Sequence, residues 1–142
     1  MRLLLDVNVL IALLDVDHAS HDHATQWFNR SARAGWASCP LTQNGCVRIM
    51  SHPRYPSPVS VAAGMERLRE ATASSHHAFW PDDVTLLDER VADATRIHGP
   101  RQLTDLYLLA LAVRHGGRLV TFDRAIAVTA IRGAADKHLL AL

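Results

Sequence analysis

The chain has 142 residues, the length of a single domain, and its 49% hydrophobic and 20% charged residues are an ordinary globular balance. A net charge of +1 excludes a strong electrostatic footprint for nucleic acid, and the two cysteines lack the spacing of a metal site. No apolar run approaches the roughly 20 residues that span a bilayer, and no signal peptide is visible. We therefore expect residues 1–142 to form one cytoplasmic domain with reduced cysteines.

The predicted elements alternate between short strands and helices. Apolar runs bounded by turn signals predict strands at residues 2–5, 36–40, 77–81 and 117–123, and a last strand or tail at 138–142. Helical spacing of apolar residues predicts helices at residues 8–14, 21–34, 41–50, 58–73, 88–99 and 104–114. Ser20 is the expected N-cap of the second helix. This alternation predicts a three-layer α/β/α domain with a central, mostly parallel sheet.

Three aspartates occupy related positions in this pattern. Asp6 ends the first strand (LLLD), Asp123 ends a later one (LVTFD), and Asp105 follows Thr104 at the start of the buried helix 104–114. Ligands of open parallel sheets bind beyond the carboxyl ends of the strands, and the helices that follow strands begin near that edge. We therefore expect the three carboxylates to converge, although they are far apart in sequence.

Three carboxylates in one crevice repel each other unless a cation compensates their charge. A hard divalent ion such as Mg²⁺ or Mn²⁺ prefers oxygen ligands of this kind. In phosphodiester hydrolysis such an ion lowers the pKa of a bound water and neutralises charge on the leaving oxygen. The alternative is that each aspartate only caps a helix or ends a strand.

The segments LLLDVNVLIALL, LTDLYLLALA and LVTFDRAI together resemble the PIN domain, and more closely the VapC toxins of VapBC toxin–antitoxin pairs. The resemblance extends over essentially the whole chain. It implies a Mg²⁺- or Mn²⁺-dependent endoribonuclease whose metal ligands are Asp6, Asp105 and Asp123. Asn8 and Thr121 would form hydrogen bonds around that site. The resemblance further implies an RNA substrate, a homodimer, and a cognate VapB-type antitoxin that blocks the site.

The sequence departs from the family pattern at one position. The family has an acidic residue on an early helix, and the aligned segment LTQNG has Gln43 there. Glutamine has nearly the shape of glutamate and can orient a water molecule, but it adds no charge. The site would then hold three carboxylates and bind its metal more weakly. A catalytically weakened PIN-fold module that binds RNA or an antitoxin is therefore the alternative function.

Two arginines are candidate RNA contacts. Arg48 lies on the predicted helix that contains Gln43, and Arg54 lies in the proline-rich segment after it. Both are expected near the mouth of the crevice, where they would contact RNA phosphates. The alternative is that this segment is a solvated loop or an antitoxin contact.

Other patterns in the chain point to different functions. His18, His21 and His23 are close enough in sequence for a transition-metal site, although such polar connections more often hold solvated histidines. The opening LLLDVNV is also close to that of haloacid-dehalogenase phosphatases. Those enzymes need a second aspartate where this chain has Asn8, and a mid-chain lysine where this chain has only Lys137 near its end.

Overall fold

Five parallel strands form one central sheet in the computed structural model, which describes residues 1–142. The strands are β1 (Leu3–Leu5), β2 (Trp36–Ser38), β3 (His77–Phe79), β4 (Arg118–Thr121) and β5 (Leu139–Ala141). Their order across the sheet is β3-β2-β1-β4-β5, and every neighbouring pair is parallel. The predicted α/β class is confirmed, and the C-terminal segment is a true edge strand.

Helices cover both faces of this sheet. They are α1 (Val7–Leu14), α2 (His21–Ser31), α3 (Pro40–Met50), α4 (Val61–Thr72) and α5 (Leu103–Arg114). Alternate side chains of a strand point to opposite faces, so Leu4 packs on one face with α5, while Leu3 and Leu5 pack on the other with α1 to α4. The predicted three layers are therefore present. None of the helices has the length and apolar character required of a membrane span.

The start of α4 and the cap of α2 differ from the sequence prediction. Helix α4 begins at Val61 because the Ser60 hydroxyl caps it, accepting a hydrogen bond from the N–H of Ala63 at 3.0 Å. The predicted start at residue 58 was therefore early. Ser20 does precede α2, but its side chain makes no capping hydrogen bond.

The prediction of a helix over residues 88–99 was wrong. This segment consists of turns, with a single 3₁₀ turn at Ala94–Arg96. The Asp88 carboxylate accepts the N–H of Arg90 at 2.9 Å, and the Asp93 carboxylate accepts the N–H of Thr95 at 3.1 Å. Such local side-chain bonds compete with helical hydrogen bonds. An isolated antiparallel bridge from Ala92 to Ile131 ties the segment to a distant part of the chain.

The strand order places a topological switch point between β1 and β4. From β1 the chain moves to β2 and β3 on one side, and then crosses to β4 and β5 on the other. The N–H of Asp6 donates to the carbonyl of Val120 at 2.9 Å, so the end of β1 stays beside β4. Open parallel sheets bind ligands outside the carboxyl ends of their strands at such a point.

Gly117 provides a test of the packing at the opposite end of β4. A Cβ atom at Gly117 would lie 2.6 Å from the carbonyl oxygen of Arg2 and 2.6 Å from the Trp80 ring. Backbone cannot yield as a flexible side chain does, so Gly117→Ala should destabilise the fold by about 1–3 kcal/mol. Thermal melts should show a lower Tm than in Gly99→Ala, where no atom lies within 4 Å of the added carbon. Equal melting of the two variants would contradict this packing.

Candidate active site

Asp6 is a buried carboxylate held by two hydrogen bonds. It caps α1 by accepting the N–H of Val7 on Oδ1 at 2.7 Å, and the Thr121 hydroxyl donates to Oδ2 at 2.6 Å. The residue is only 5% exposed. Burial raises the pKa of Asp6, the bonds from Thr121 and Val7 oppose that rise, and the charge of Asp123 adds to it.

The Thr121 hydroxyl links three parts of the site. While it donates to Asp6, it accepts the side-chain amide of Asn8 at 3.4 Å and the backbone N–H of Asp123 at 3.1 Å. A hydroxyl has one donor and two acceptor positions, so this one is fully used. Asn8 in turn accepts the N–H of Phe122 at 3.4 Å. The structure therefore brings Asn8 and Thr121 together beside Asp6.

Asp105 and Asp123 complete a group of three aspartates. Asp123 follows β4, and its Oδ1 accepts the N–H of Ala125 at 2.8 Å. Asp105 lies in the first turn of α5. Burial, a hydrogen bond to the Asp123 carboxyl group, and the charges of Asp6 and Asp123 together raise the pKa of Asp105 to about 7. The three aspartates singled out from sequence therefore share one electrostatic environment.

The chemistry of these donors suits a hard divalent cation, because all of them are carboxylate oxygens that repel one another. Their present arrangement is not that of a formed metal site. No group of three or more His, Cys, Asp or Glu side chains is placed so that it could hold a metal ion. A hydrogen bond between the Asp105 and Asp123 carboxyl groups contributes to the raised pKa of Asp105, and Asp6 is held by its own donors. A bound cation would take the place of the proton that Asp105 holds near neutral pH.

The histidine cluster has structural contacts instead. His21 Nδ1 lies 2.8 Å from the carbonyl oxygen of Ala12, and His18 Nδ1 accepts the N–H of Ser20 at 3.0 Å. The side chain of His23 is exposed. These contacts support the interpretation that HASHDH is a polar connection rather than a metal site.

Two cavities flank the three aspartates. The larger has a volume of about 590 Å³ and lies between one side of α3 and the start of α5. Its polar lining consists of Asp6, Asn44, Arg48, Asp82 and Thr104. The smaller, about 210 Å³, opens beside Asp105 and Asp123.

Gly45 allows α3 to approach the start of α1. A Cβ atom there would lie 2.9 Å from the Val7 side chain, which directly follows Asp6. The absence of a side chain lets α3 form one wall of the larger cavity next to the buried carboxylate.

The other predicted site residues are placed differently. Arg48 is exposed and lines the larger cavity, whereas Arg54 is exposed on the loop between α3 and α4 and lines neither cavity. The Gln43 amide donates to the Ser38 hydroxyl at 2.9 Å, and that oxygen lies 2.8 Å from His77 Nε2. Gln43 lines a separate cavity between α3 and α4. The structure therefore does not bring it to the aspartates.

Two residues at the larger cavity were missed in the sequence. Asp82 follows β3 by three residues, and its Oδ2 accepts the N–H of Leu41 in the first turn of α3 at 3.2 Å. Asn44 lies one turn before Arg48 and opens onto the same cavity. A sequence signal existed for Asp82, because it is an acid after a strand, as Asp6 and Asp123 are. No comparable signal marked Asn44.

Comparison with known proteins agrees with this fold. The family model for the PIN domain matches residues 3–132, so the chain belongs to the PIN-domain family. It is 56% identical over 142 residues to Ribonuclease VapC44 of Mycobacterium tuberculosis, with 100% of both chains covered. It is 44% identical over 138 residues to Ribonuclease VapC39 of the same organism, covering 96% of this chain and 99% of that one. Within the family it is therefore a VapC-type protein.

A solved structure has the same fold. The crystal structure of VapBC2 from Rickettsia felis bound to a DNA fragment from its promoter aligns with a TM-score of 0.54. The alignment covers 87% of this chain and 89% of that chain at 14% identity. This similarity confirms the predicted PIN-like architecture.

Removing the Thr121 hydroxyl should loosen the site. In Thr121→Val, the buried Asp6 loses its side-chain donor, which should cost about 1–3 kcal/mol of stability. The Thr121→Ser variant keeps the hydroxyl and should retain most of the stability. Chemical denaturation at pH 7 measures both variants, and equal losses would contradict a dominant role for the hydroxyl.

Asp105 should make metal-free stability depend on pH. Its pKa is about 7 in the folded protein against an ordinary value of 3.8, so ionising it costs stability. This loss of stability is absent below about pH 4, grows as the pH rises, and is complete above about pH 7, with each limit extending over about one pH unit. In EDTA, Asp105→Asn should melt above the wild type at pH 8, by at least the roughly 2–4 °C that about 1 kcal/mol produces in a chain of this length. The difference should disappear toward pH 4.

The matched control for this measurement is Asp17→Asn, since Asp17 is exposed and distant from the site. Its melting relative to wild type should not change over the same pH range. A constant offset between Asp105→Asn and wild type would contradict the raised pKa.

Proposed function

We propose that this chain is a Mg²⁺- or Mn²⁺-dependent endoribonuclease and the toxin of a VapBC-type pair. The observation that carries the proposal is the grouping of Asp6, Asp105 and Asp123 at the switch point of the sheet. The similarity to two proteins named as ribonucleases over nearly their full lengths supports it. A cognate VapB-type antitoxin and a homodimeric state are part of the same proposal.

The three aspartates would hold the cation, which supplies a bound water of lowered pKa and neutralises charge on the leaving oxygen. The chain itself orients these groups. Thr121 and the N–H of Val7 fix the rotamer of Asp6, and Asn8 fixes the Thr121 hydroxyl. Water attack on phosphorus and cleavage of the P–O bond require no covalent intermediate with the protein.

The larger cavity is suited to receive the RNA strand next to Asp6. Arg48 offers a forked donor that matches a phosphate group, and the Asn44 amide can donate to or accept from a base or ribose. Because the net charge is only +1, local contacts of this kind must position the substrate.

One observation favours a second candidate, a module that binds RNA or an antitoxin without efficient cleavage. Gln43 adds no charge to the site, and its amide is bound to Ser38 instead. A site with three carboxylates attracts a divalent cation less strongly than one with four.

RNA cleavage by the purified chain tests the proposal. Cleavage should occur with Mg²⁺ or Mn²⁺ and stop in EDTA. Asp6→Asn should lower the rate by roughly 10²-fold or more, because it removes a charged ligand of the cation. Asp17→Asn is the control and should cleave at the wild-type rate.

The outcomes separate the two candidates. Equal cleavage by wild type and Asp6→Asn would overturn the assignment of the site. An inactive wild type that still binds RNA or an antitoxin would favour the binding module. Thermal melts with and without Mg²⁺ report metal binding independently of activity, and the shift should be smaller in Asp6→Asn.

A further inference from the structure

We infer that Arg101 binds the RNA backbone on the side of the aspartates opposite Arg48. The substrate strand would then cross the aspartates from the larger cavity into the smaller one. This inference rests on the proposed function and adds to it a substrate-binding residue and a path for the strand.

The smaller cavity combines opposite charges. Arg101 lines it together with Asp105 and Asp123, and Leu106, Ile126 and two alanines form its apolar part. Arg101 is exposed and lies in the 3₁₀ turn Pro100–Gln102 that leads into α5. A guanidinium group therefore shares a 210 Å³ cavity with two of the three carboxylates.

Arg101 forms no ion pair, although two aspartates line the same cavity. Other exposed arginines of this chain do pair with nearby acids, for example Arg90 with Asp88 at 3.0 Å and Arg96 with Asp93 at 3.3 Å. The donors of Arg101 are therefore available to a ligand. If its role were to neutralise the aspartates, a direct bond to one of them would be expected.

The backbone next to Arg101 is braced. The side-chain carbonyl of Gln102 accepts the N–H of His98 at 2.7 Å, and the N–H of Gln102 donates to the carbonyl of Gly99 at 3.2 Å. These bonds hold the turn in place while the Arg101 side chain stays free. Because the backbone of the turn is already ordered, binding a ligand costs only the entropy of the Arg101 side chain and not that of the backbone as well.

A phosphodiester is the ligand that fits this combination. A phosphate that is cut at the aspartates has neighbouring phosphates on both sides along the strand. Arg48 lies in the cavity on one side, and Arg101 lies in the cavity on the other. The guanidinium fork matches phosphate oxygens in a bidentate way. The apolar part of the smaller cavity can contact a ribose or base.

RNA binding measured by fluorescence anisotropy tests this assignment. The probe is a labelled, mixed-sequence single-stranded RNA, and every protein carries Asp6→Asn so that the RNA remains intact. Adding Arg101→Ala should raise Kd by about 5- to 10-fold and reduce the slope of log K against log salt by about 0.7. Arg101→Lys should keep the slope and lose part of the affinity.

The matched control is Arg33→Ala. Arg33 is exposed and unpaired like Arg101, but it precedes β2 at the amino edge of the sheet, away from the aspartates. Its Kd and salt slope should equal those of the parent. Thermal melts verify that each variant is folded, and Arg101→Gln replaces Arg101→Ala if the alanine variant unfolds.

The results distinguish this inference from the proposed function. A wild-type chain that cleaves RNA, together with Arg101 variants that bind RNA as Arg33→Ala does, would overturn the inference alone. Tighter RNA binding by Arg101→Ala would also overturn the inference, because it would mean that the Arg101 side chain obstructs RNA binding and does not contribute to it. Weaker binding by the Arg101 variants with an inactive wild type would support the contact and reject the nuclease.

Discussion

The hydrogen bond from Thr121 to Asp6 is the constraint on which the site depends. A carboxylate that is 5% exposed loses much of its hydration, and it is tolerated only when donors replace the water. One donor comes from the helix that Asp6 itself caps, and the other comes from the end of β4. The bond therefore joins the two strands at which the order of the sheet reverses. The same hydroxyl also orients Asn8 and the backbone of Asp123, so one buried group fixes the position of three others.

The convergence of the aspartates creates an electrostatic strain in the folded chain. Helix α5 begins at the same edge where β1 and β4 end, which brings Asp105 to the other two acids. Without a cation, the repulsion is relieved by keeping a proton on Asp105, whose pKa rises to about 7. Holding like charges together lowers the free energy of unfolding, and such a loss of stability is common at functional sites. A bound divalent cation would relieve the same repulsion without a proton, so the repulsion that lowers the stability of the metal-free chain would favour cation binding.

Parts of this architecture that depend on local pattern could be predicted from the sequence. Apolar runs gave the strands, and acids at strand ends gave Asp6 and Asp123. The helix prediction for residues 88–99 was wrong because the side chains of Asp88 and Asp93 accept hydrogen bonds from nearby backbone N–H groups. The spacing of apolar residues does not reveal this effect. The position of Gln43 depends on its hydrogen bond to Ser38, which in turn contacts His77. Arg101 is free to bind a ligand because it forms no ion pair with any acid of the chain. Such tertiary contacts between distant residues have no signature in a single sequence.

The distribution of charge around the site explains how a nearly neutral chain can act on a polyanion. A net charge of +1 provides little long-range attraction for RNA, and the centre of the site is itself acidic. The acids occupy the point where the proposed cation would bind, while Arg48 and Arg101 line the cavities on either side. A cation bound there would help the strand to bind, because it would neutralise the carboxylates that repel the phosphates. In this proposal, phosphates beside the cut would contact the two arginines, and the phosphate at the cut would contact the cation. Bulk electrostatics carries no sequence information, so specificity for particular RNAs would have to come from local shape and base contacts.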